Sequence, residues 1–448
     1  MFYRLIIENY RSFGEPVQFD LFPNLKRENL KGHVYSSDKF PSVMKMTGIY
    51  GANGAGKSNL FKAFEFIKSF CSEFNSNRKL KDWYNKNRFR LPPKDGNQPI
   101  SFIIEFSYKG QAYILSLDID DAGVKKEELL LSGMGVQDNV MIYQRNYDHI
   151  VFSNVNNLTV SPEIKGIIER QLKSFANNSF IAINGNFELI NFELIKNPFN
   201  WFSRNFYSLS YFRNIPQLID LLSNNPGLMR FINNVFANIG LGLKNLDVKE
   251  ESFEDWYAGL NDEEKGLFGD AKVTLDKNQF LTRMENDRPI ASISEKDGAQ
   301  IVRELLFKQF GKEGYVGDMD VSCQSNGTIK LLILMPALYH TLVDDTLVVV
   351  DELDNCLHPK LLKGLIKLVG QMPSKGQLIF TTHEDYLLDQ QEILRPDEIW
   401  ITDKQDGISQ LYSLNDFKLH KTLSIRNGYL DDRFGGTPHI NLSIPSPF

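Results

Sequence analysis

Apolar residues in the first fifty positions fall into alternating or continuous runs at 3–7, 17–21 and 46–50, separated by loops rich in Asn, Lys and Ser; such runs predict strands. Beyond Ser58 the period changes. Leu60, Phe61, Ala63, Phe64 and Ile67 recur at helical spacing, so a helix follows the third strand almost directly. A polar stretch over 75–97 then gives way to apolar runs at 101–106 and 112–117 around a Lys109-Gly110 turn. With further runs at 128–131, 140–143 and 150–152, these predict an antiparallel meander. From Ser161 to about Gly311 the spacing becomes helical again, at Ile164, Ile167, Ile168 and Leu172 and at Ile301, Leu305, Leu306 and Phe310. None of these segments sustains three or four heptads, which argues against a long coiled-coil arm.

The first chemistry sits where strand meets helix. Gly51, Ala52, Asn53, Gly54, Ala55, Gly56, Lys57 and Ser58 fit the phosphate-binding P-loop pattern in its expected strand-loop-helix setting. Glycines let the backbone close into a concave nest of N–H donors, and the helix start adds its positive dipole end. Lys57 is then expected to reach the β- and γ-phosphates, and Ser58 to coordinate Mg²⁺.

A second apolar run at 347–350 ends in Asp351 and Glu352. Acids at the C-terminal end of a buried parallel strand stand at the mouth of the sheet, where ligands bind. Asp351 is expected to hold Mg²⁺ through water or Ser58, and Glu352 to orient and deprotonate the attacking water. A third run at 378–380 leads to His383. Upstream, a small polar turn at 322–328 opens a helix marked by Ile329, Leu331, Leu332, Leu334 and Leu338. That helix start is a second anion-binding end, so two anion sites far apart in sequence are expected to close on one phosphate from opposite sides.

The 448 residues, 42% of them hydrophobic, allow two domains or one large domain with an insertion. A net charge of −6 argues against holding nucleic acid by bulk charge and leaves room only for a local basic groove. No apolar stretch reaches the roughly 20 residues needed to cross a bilayer, and the N-terminus reads as a strand rather than a signal peptide, so a cytoplasmic protein is expected. Cys71, Cys323 and Cys356 have no paired spacing, which rules out a disulfide framework or zinc site; they are expected to be buried small residues, with redox control the alternative at Cys323, just before Ser325, and Cys356, just after Asp354. The acids Glu250, Glu251, Glu254, Asp255, Asp262, Glu263 and Glu264 are expected on a solvated helix face.

The order of P-loop, Ser-x-Gly turn, Asp-Glu strand, Asp-containing loop and His strand resembles the ABC-type ATPase heads of transporters, SMC-like and RecF-like proteins. The opening Ile6-Ile7-Glu8-Asn9-Tyr10-Arg11-Ser12-Phe13 and the block Asp351-Glu352-Leu353-Asp354-Asn355-x-Leu357-His358-Pro359 resemble stand-alone AAA-family ATPases of bacterial phage-defence operons, such as RloA-like and abortive-infection proteins. The tail at 428–438 is similar to tails of that group.

The resemblance implies an α/β P-loop NTPase of ABC-ATPase head type. Residues 1–160 form a first ATPase lobe with the antiparallel subdomain, 161–315 an inserted, mainly helical lobe, and 316–448 a second ATPase lobe. It implies ATP and Mg²⁺ as cofactors, with Lys57, Ser58, Asn59 and Arg11 at the nucleotide and Asp351 at the metal. Glu352 is implied as the hydrolytic base and His383 as the switch residue sensing the γ-phosphate. Ser325, Asn326, Gly327 and Thr328 form the implied signature, acting on nucleotide bound to a partner copy, and Asp354 the loop crossing that interface. Asn326 and Thr328 depart from the transporter signature, and the glutamine loop has only Gln98 as a candidate. The implied partners are a second copy, in a homodimer or higher even homo-oligomer, and a separately encoded effector. Three functional readings follow: a dimerising ATPase regulating a defence effector, a RecF- or SMC-like ATPase that clamps DNA, and a nucleotide-gated binding protein with negligible turnover.

Overall fold

The computed structural model describes residues 1–91, 98–209, 215–268, 281–285, 288–296, 298–389, 392–419 and 424–438. The chain divides into two compact units, one of Met1–Ser208, His340–Asp354 and Leu362–Phe448, the other of Leu209–Tyr339 and Asn355–Leu361.

Two sheets frame the first unit. In the seven-stranded antiparallel sheet the order runs His149–Phe152, Val140–Asn146, Gly123–Leu131, Gln111–Asp120, Ile100–Tyr108, Phe2–Glu8 and Val17–Asp20. This is the expected meander, with the chain's opening strand added at one side. The second sheet has the order Phe206–Ser208, Leu347–Val350, Gln377–Thr381, Met46–Gly51, Ile399–Gln405 and Ile408–Ser413. Its first five strands are parallel and the last is antiparallel. Every residue of Met46–Gly51 is buried between parallel neighbours, as a continuous apolar run requires.

Helix Lys57–Ser72 fills the space that these sheets share. Its buried stripe of Leu60, Phe61, Phe64, Ile67 and Phe70 joins Phe2, Phe19, Phe102 and Phe106 in one core. Phe64 meets Phe2 edge-on at 5.4 Å and Phe19 at 6.0 Å. Burying each such ring is worth about 1.5–3 kcal/mol, so the P-loop is anchored at the helix that carries it away.

The expected insertion at 161–315 divides differently. Helices Pro162–Ser174, Phe180–Phe187 and Glu193–Arg204 belong to the first unit, and strand Phe206–Ser208 joins its parallel sheet. Trp201 stacks on Phe106 at 4.2 Å, so this stretch completes the first core. The helical spacing from Ile164 to Leu172 is real: Ser161 caps the helix by accepting the Ile164 N–H, and Ile168 and Leu172 are buried.

The second unit holds a sheet as well as helices such as Ile215–Asn224 and Pro226–Asn238. It carries an antiparallel sheet of Leu243–Ser252, Ala299–Phe310, Arg288–Lys296 and Leu281–Glu285, with Val316–Met319 added on Ala299–Phe310. Ile301, Leu305, Leu306 and Phe310, expected on a helix, lie on strand Ala299–Phe310. The period-two set is Arg303, Leu305 and Phe307, all buried, and a buried arginine hides that alternation from a hydrophobic count. Arg303 is held by Glu250 at 2.8 Å and Asp220 at 3.1 Å. Glu250 and Glu251 are accordingly strand residues, while Glu254 and Asp255 lie on helix Phe253–Ala258 and Asp262 and Glu263 on Asp262–Phe268. The Glu264 side chain lies outside the described residues. Of the cysteines, Cys71 is buried as expected, but Cys323 and Cys356 are exposed. No helix among the described residues is long and apolar enough to cross a membrane.

Candidate functional site

The P-loop takes its shape from three glycines at positive φ: Gly51 at 146°, Gly54 at 80° and Gly56 at 127°. Two of them are also enforced by close neighbours. A Cβ on Gly51 would strike the carbonyl and hydroxyl oxygens of Thr402, and one on Gly56 would come within 2.6 Å of the Ser409 hydroxyl. Around Gly54 there is open space. The loop is thus pinned at both ends and free at its crest.

Behind it, the Lys57 amine donates to the carbonyls of Gly51 at 2.7 Å and Ala52 at 3.1 Å, which folds the side chain over the nest. Burial lowers the Lys57 ammonium from its ordinary 10.5 to about 8, and the carboxylates of Asp351, Asp354 and Glu352 offset part of that effect. A desolvated, incompletely neutralised cation over a cradle of N–H donors fits a polyphosphate. Ser58 and Asn59 follow in the first helical turn.

Asp351 and Glu352 leave the end of strand Leu347–Val350, whose Val350 pairs with Phe380 of the neighbouring strand. The next residue on that neighbour, Thr381, is buried and has two partners. Its hydroxyl donates to the Asp351 carboxylate at 2.6 Å and accepts the Glu352 N–H at 2.7 Å. Glu352 is exposed and sits at φ 52°, a turn that sends it away from the strand direction. Two residues on, the Asp354 carboxylate accepts the His383 N–H at 3.3 and 3.4 Å. Lys57, Asp351, Glu352, Asp354 and His383 therefore all belong to one unit and one end of one sheet.

Within the second unit, the Ser325 hydroxyl accepts the Thr328 N–H at 3.1 Å and lies 2.9 Å from the Thr328 hydroxyl, so it caps helix Asn326–Val343. Its own proton is left for Thr328 or for a phosphate oxygen. Gly327 is close to the Cys356 carbonyl, which would lie 2.9 Å from an added Cβ. At this position only glycine lets the loop after Asp354 approach the helix start.

Several residues that brace the site carry no motif. Ser409 donates to the Ala55 carbonyl at 2.5 Å, and its N–H reaches the Ser12 carbonyl at 2.7 Å. Asn59 donates to the Ser12 hydroxyl at 2.7 Å. The tail also reaches the loop: Gly436, at φ 76°, lies flush against Gly51, and the Tyr429 ring meets Tyr50 at 6.2 Å. Thr381 was readable as the end of an apolar run before His383, but its role depends on strand pairing that no local pattern encodes. Arg11 sits at φ 53° with its Nε donating to the Tyr10 hydroxyl at 3.1 Å, and it lines a hollow together with Ser12 and Asn59. Gln98, the glutamine-loop candidate, is exposed, and its backbone carbonyl accepts from Asn9 and Tyr84.

A family model described as "AAA domain, putative AbiEii toxin, Type IV TA system" matches residues 46–389. No curated protein matches the chain. Among solved structures it is similar to the "Crystal structure of the SmcHead bound to the C-winged helix domain of ScpA", with 15% identity over 93% of this chain and 99% of that one and a TM-score of 0.46. It is also similar to the "SMC head domain from Thermotoga maritima", at 14% identity, 93% and 99% coverage and a TM-score of 0.40. An Smc head domain with an extended coiled coil derived from Pyrococcus furiosus, bound to the C-terminal domain of ScpA, gives 13%, 93%, 98% and 0.43.

Proposed function

The chain belongs to the AAA-domain family matched over residues 46–389, and on that premise we propose that it is an ATPase that closes on a second copy of itself around ATP and Mg²⁺. In this reading it governs a separately encoded effector in bacterial antiphage defence, from the cytoplasm. The observation that carries the catalytic part is the Thr381 hydroxyl holding both Asp351 and the backbone of Glu352 at the strand end whose carboxylates act on Lys57.

Lys57 and the N–H groups of residues 51–58 bind the triphosphate, with Arg11 and Asn59 at its flank. Ser58 and Asp351 would hold Mg²⁺, which would supply neutralisation of the phosphate charge. Among the described residues no group of three or more His, Cys, Asp and Glu side chains is arranged to hold a metal, which fits a cation that keeps most of its ligands as phosphate and water. Glu352, exposed and turned outward, orients the attacking water and accepts its proton. His383, tied through its N–H to Asp354, reports the γ-phosphate to the loop that leads into the second unit. Ser325, Asn326, Gly327 and Thr328 act on nucleotide held by the partner copy, Ser325 through the proton that capping leaves unused.

Phosphate release by wild-type, Lys57→Ala and Glu352→Gln proteins, with light scattering for dimerisation, tests the reading. It expects turnover in the wild type only and an ATP-stabilised dimer in Glu352→Gln. Wild-type turnover by Glu352→Gln would remove that residue from its role, and no ATP-dependent change in mass would remove the dimer.

A further inference from the structure

Beside the P-loop helix, in the first unit, lies a hollow of about 330 Å³ whose lining carries five cationic side chains, Arg11, Lys86, Arg88, Arg90 and Lys404, and, among the described residues, no Asp or Glu. Among the described residues none of the five makes an ion pair. Arg11 and Arg90 are instead steered by neutral partners, the Tyr10 hydroxyl and the Asn85 carbonyl, and the Arg88 Nε is buried without one. Such concentration runs against a chain of net charge −6. Like charges gathered without counter-charges repel one another, and a polyanion relieves that repulsion.

Ser12 and Asn59, hydrogen-bonded to each other at 2.7 Å, form the wall between this hollow and the P-loop. The triphosphate has its own donors in the P-loop, Lys57 and Arg11, so the other four cations, Lys86, Arg88, Arg90 and Lys404, are surplus to it. Gathered around one hollow of about 330 Å³, they suit a ligand that carries more than one phosphate. The exposed Leu91 offers an apolar surface on which a base can lie.

We propose that this pocket binds single-stranded nucleic acid through its phosphodiester backbone, at a site adjoining but separate from the triphosphate site. Lys86, Arg90 and Lys404 are exposed, so they can be removed together, Arg90 at the loss of its hydrogen bond to the Asn85 carbonyl.

The test is fluorescence anisotropy with a labelled single-stranded oligonucleotide of about 12 nucleotides, without ATP, across about 50–200 mM salt. The full-length wild type is compared with Lys86→Ala/Arg90→Ala/Lys404→Ala, with ATP affinity measured in parallel. The triple variant is expected to bind the oligonucleotide at least roughly tenfold more weakly, with a log-log salt slope shallower by about 2, and to bind ATP as the wild type does. Lys57→Ala protein, which lacks the triphosphate ligand, is expected to keep oligonucleotide binding, so failure of the ATPase reading leaves this result intact. The proposal is overturned if the wild type does not bind at low salt, if the triple variant matches its affinity and slope, or if the variant loses ATP and keeps the oligonucleotide. That last outcome would assign the pocket to the nucleotide.

Discussion

The hydroxyl of Thr381 donates to the carboxylate of Asp351 at 2.6 Å, so one buried strand fixes the acid that leaves its neighbour. The same oxygen accepts the N–H of Glu352 at 2.7 Å, which makes one side chain responsible for the placement of both acids. Second partners of this kind set the geometry of the groups that meet metal and water.

Thr381→Val keeps the shape and removes both hydrogen bonds. It is expected to lower kcat for ATP hydrolysis by roughly 10- to 100-fold with little change in KM, and to cost about 1–3 kcal/mol of stability because the Glu352 N–H loses its partner. Thr381→Ser should restore most of the rate. Steady-state kinetics and thermal melts read both, and a Val variant with wild-type kcat would free Thr381 from this role.

Glu352→Gln should lower turnover by about 10²- to 10⁴-fold while leaving ATP affinity near that of the wild type. Lys57→Ala should abolish binding instead. Equilibrium binding of a fluorescent ATP analogue separates the two effects.

Lys57 supplies a pH dependence whose sign is fixed by its burial. Its ammonium sits at about 8, below the ordinary 10.5, so holding the proton is a cost to the folded protein. That cost is fully present below pH 8 and vanishes as pH rises toward 10.5, because in this window the unfolded chain binds more protons; from this group alone, the free protein gains stability with rising pH. A bound polyphosphate favours the charged amine. Nucleotide binding at about pH 8.5 should therefore take up roughly three quarters of a proton, read by calorimetry in buffers of different ionisation enthalpy. Zero uptake would place Lys57 away from the phosphates.

The loop glycines are expected to differ sharply. Gly54→Ala meets open space and should cost about 1 kcal/mol, from its positive φ alone. Gly51→Ala runs into backbone and hydroxyl oxygens of Thr402 that have no room to move, and should cost about 3 kcal/mol or more. Denaturant melts of the two variants rank them.

The nucleotide half of the fold was legible because its signals are local. The P-loop requires its glycines at fixed offsets, and the runs at 46–50, 347–350 and 378–380 are apolar because the strands Met46–Gly51, Leu347–Val350 and Gln377–Thr381 lie inside one parallel sheet. The antiparallel meander was legible for the same reason. The second unit was misread at strand Ala299–Phe310 because Arg303 occupies an inward position that hydrophobicity cannot report, its charge being met by Glu250 and Asp220 from distant parts of the chain. Thr381, Ser409 and Gly436 could not be assigned roles from sequence either, since each acts across a strand pairing or a tail contact. The basic pocket was hidden similarly: its cations come from three separate segments and disappear in the chain's net negative charge.

Mixing two inactive proteins, Lys57→Ala and Gly327→Asp, and measuring phosphate release asks most directly whether each nucleotide is held between two copies. If it is, mixed dimers contain one site with an intact P-loop and an intact signature, and the mixture should recover up to about a quarter of wild-type activity under two-fold symmetry. If each copy completes its own site, the mixture will stay as inactive as its components, and the account of a shared site will be wrong.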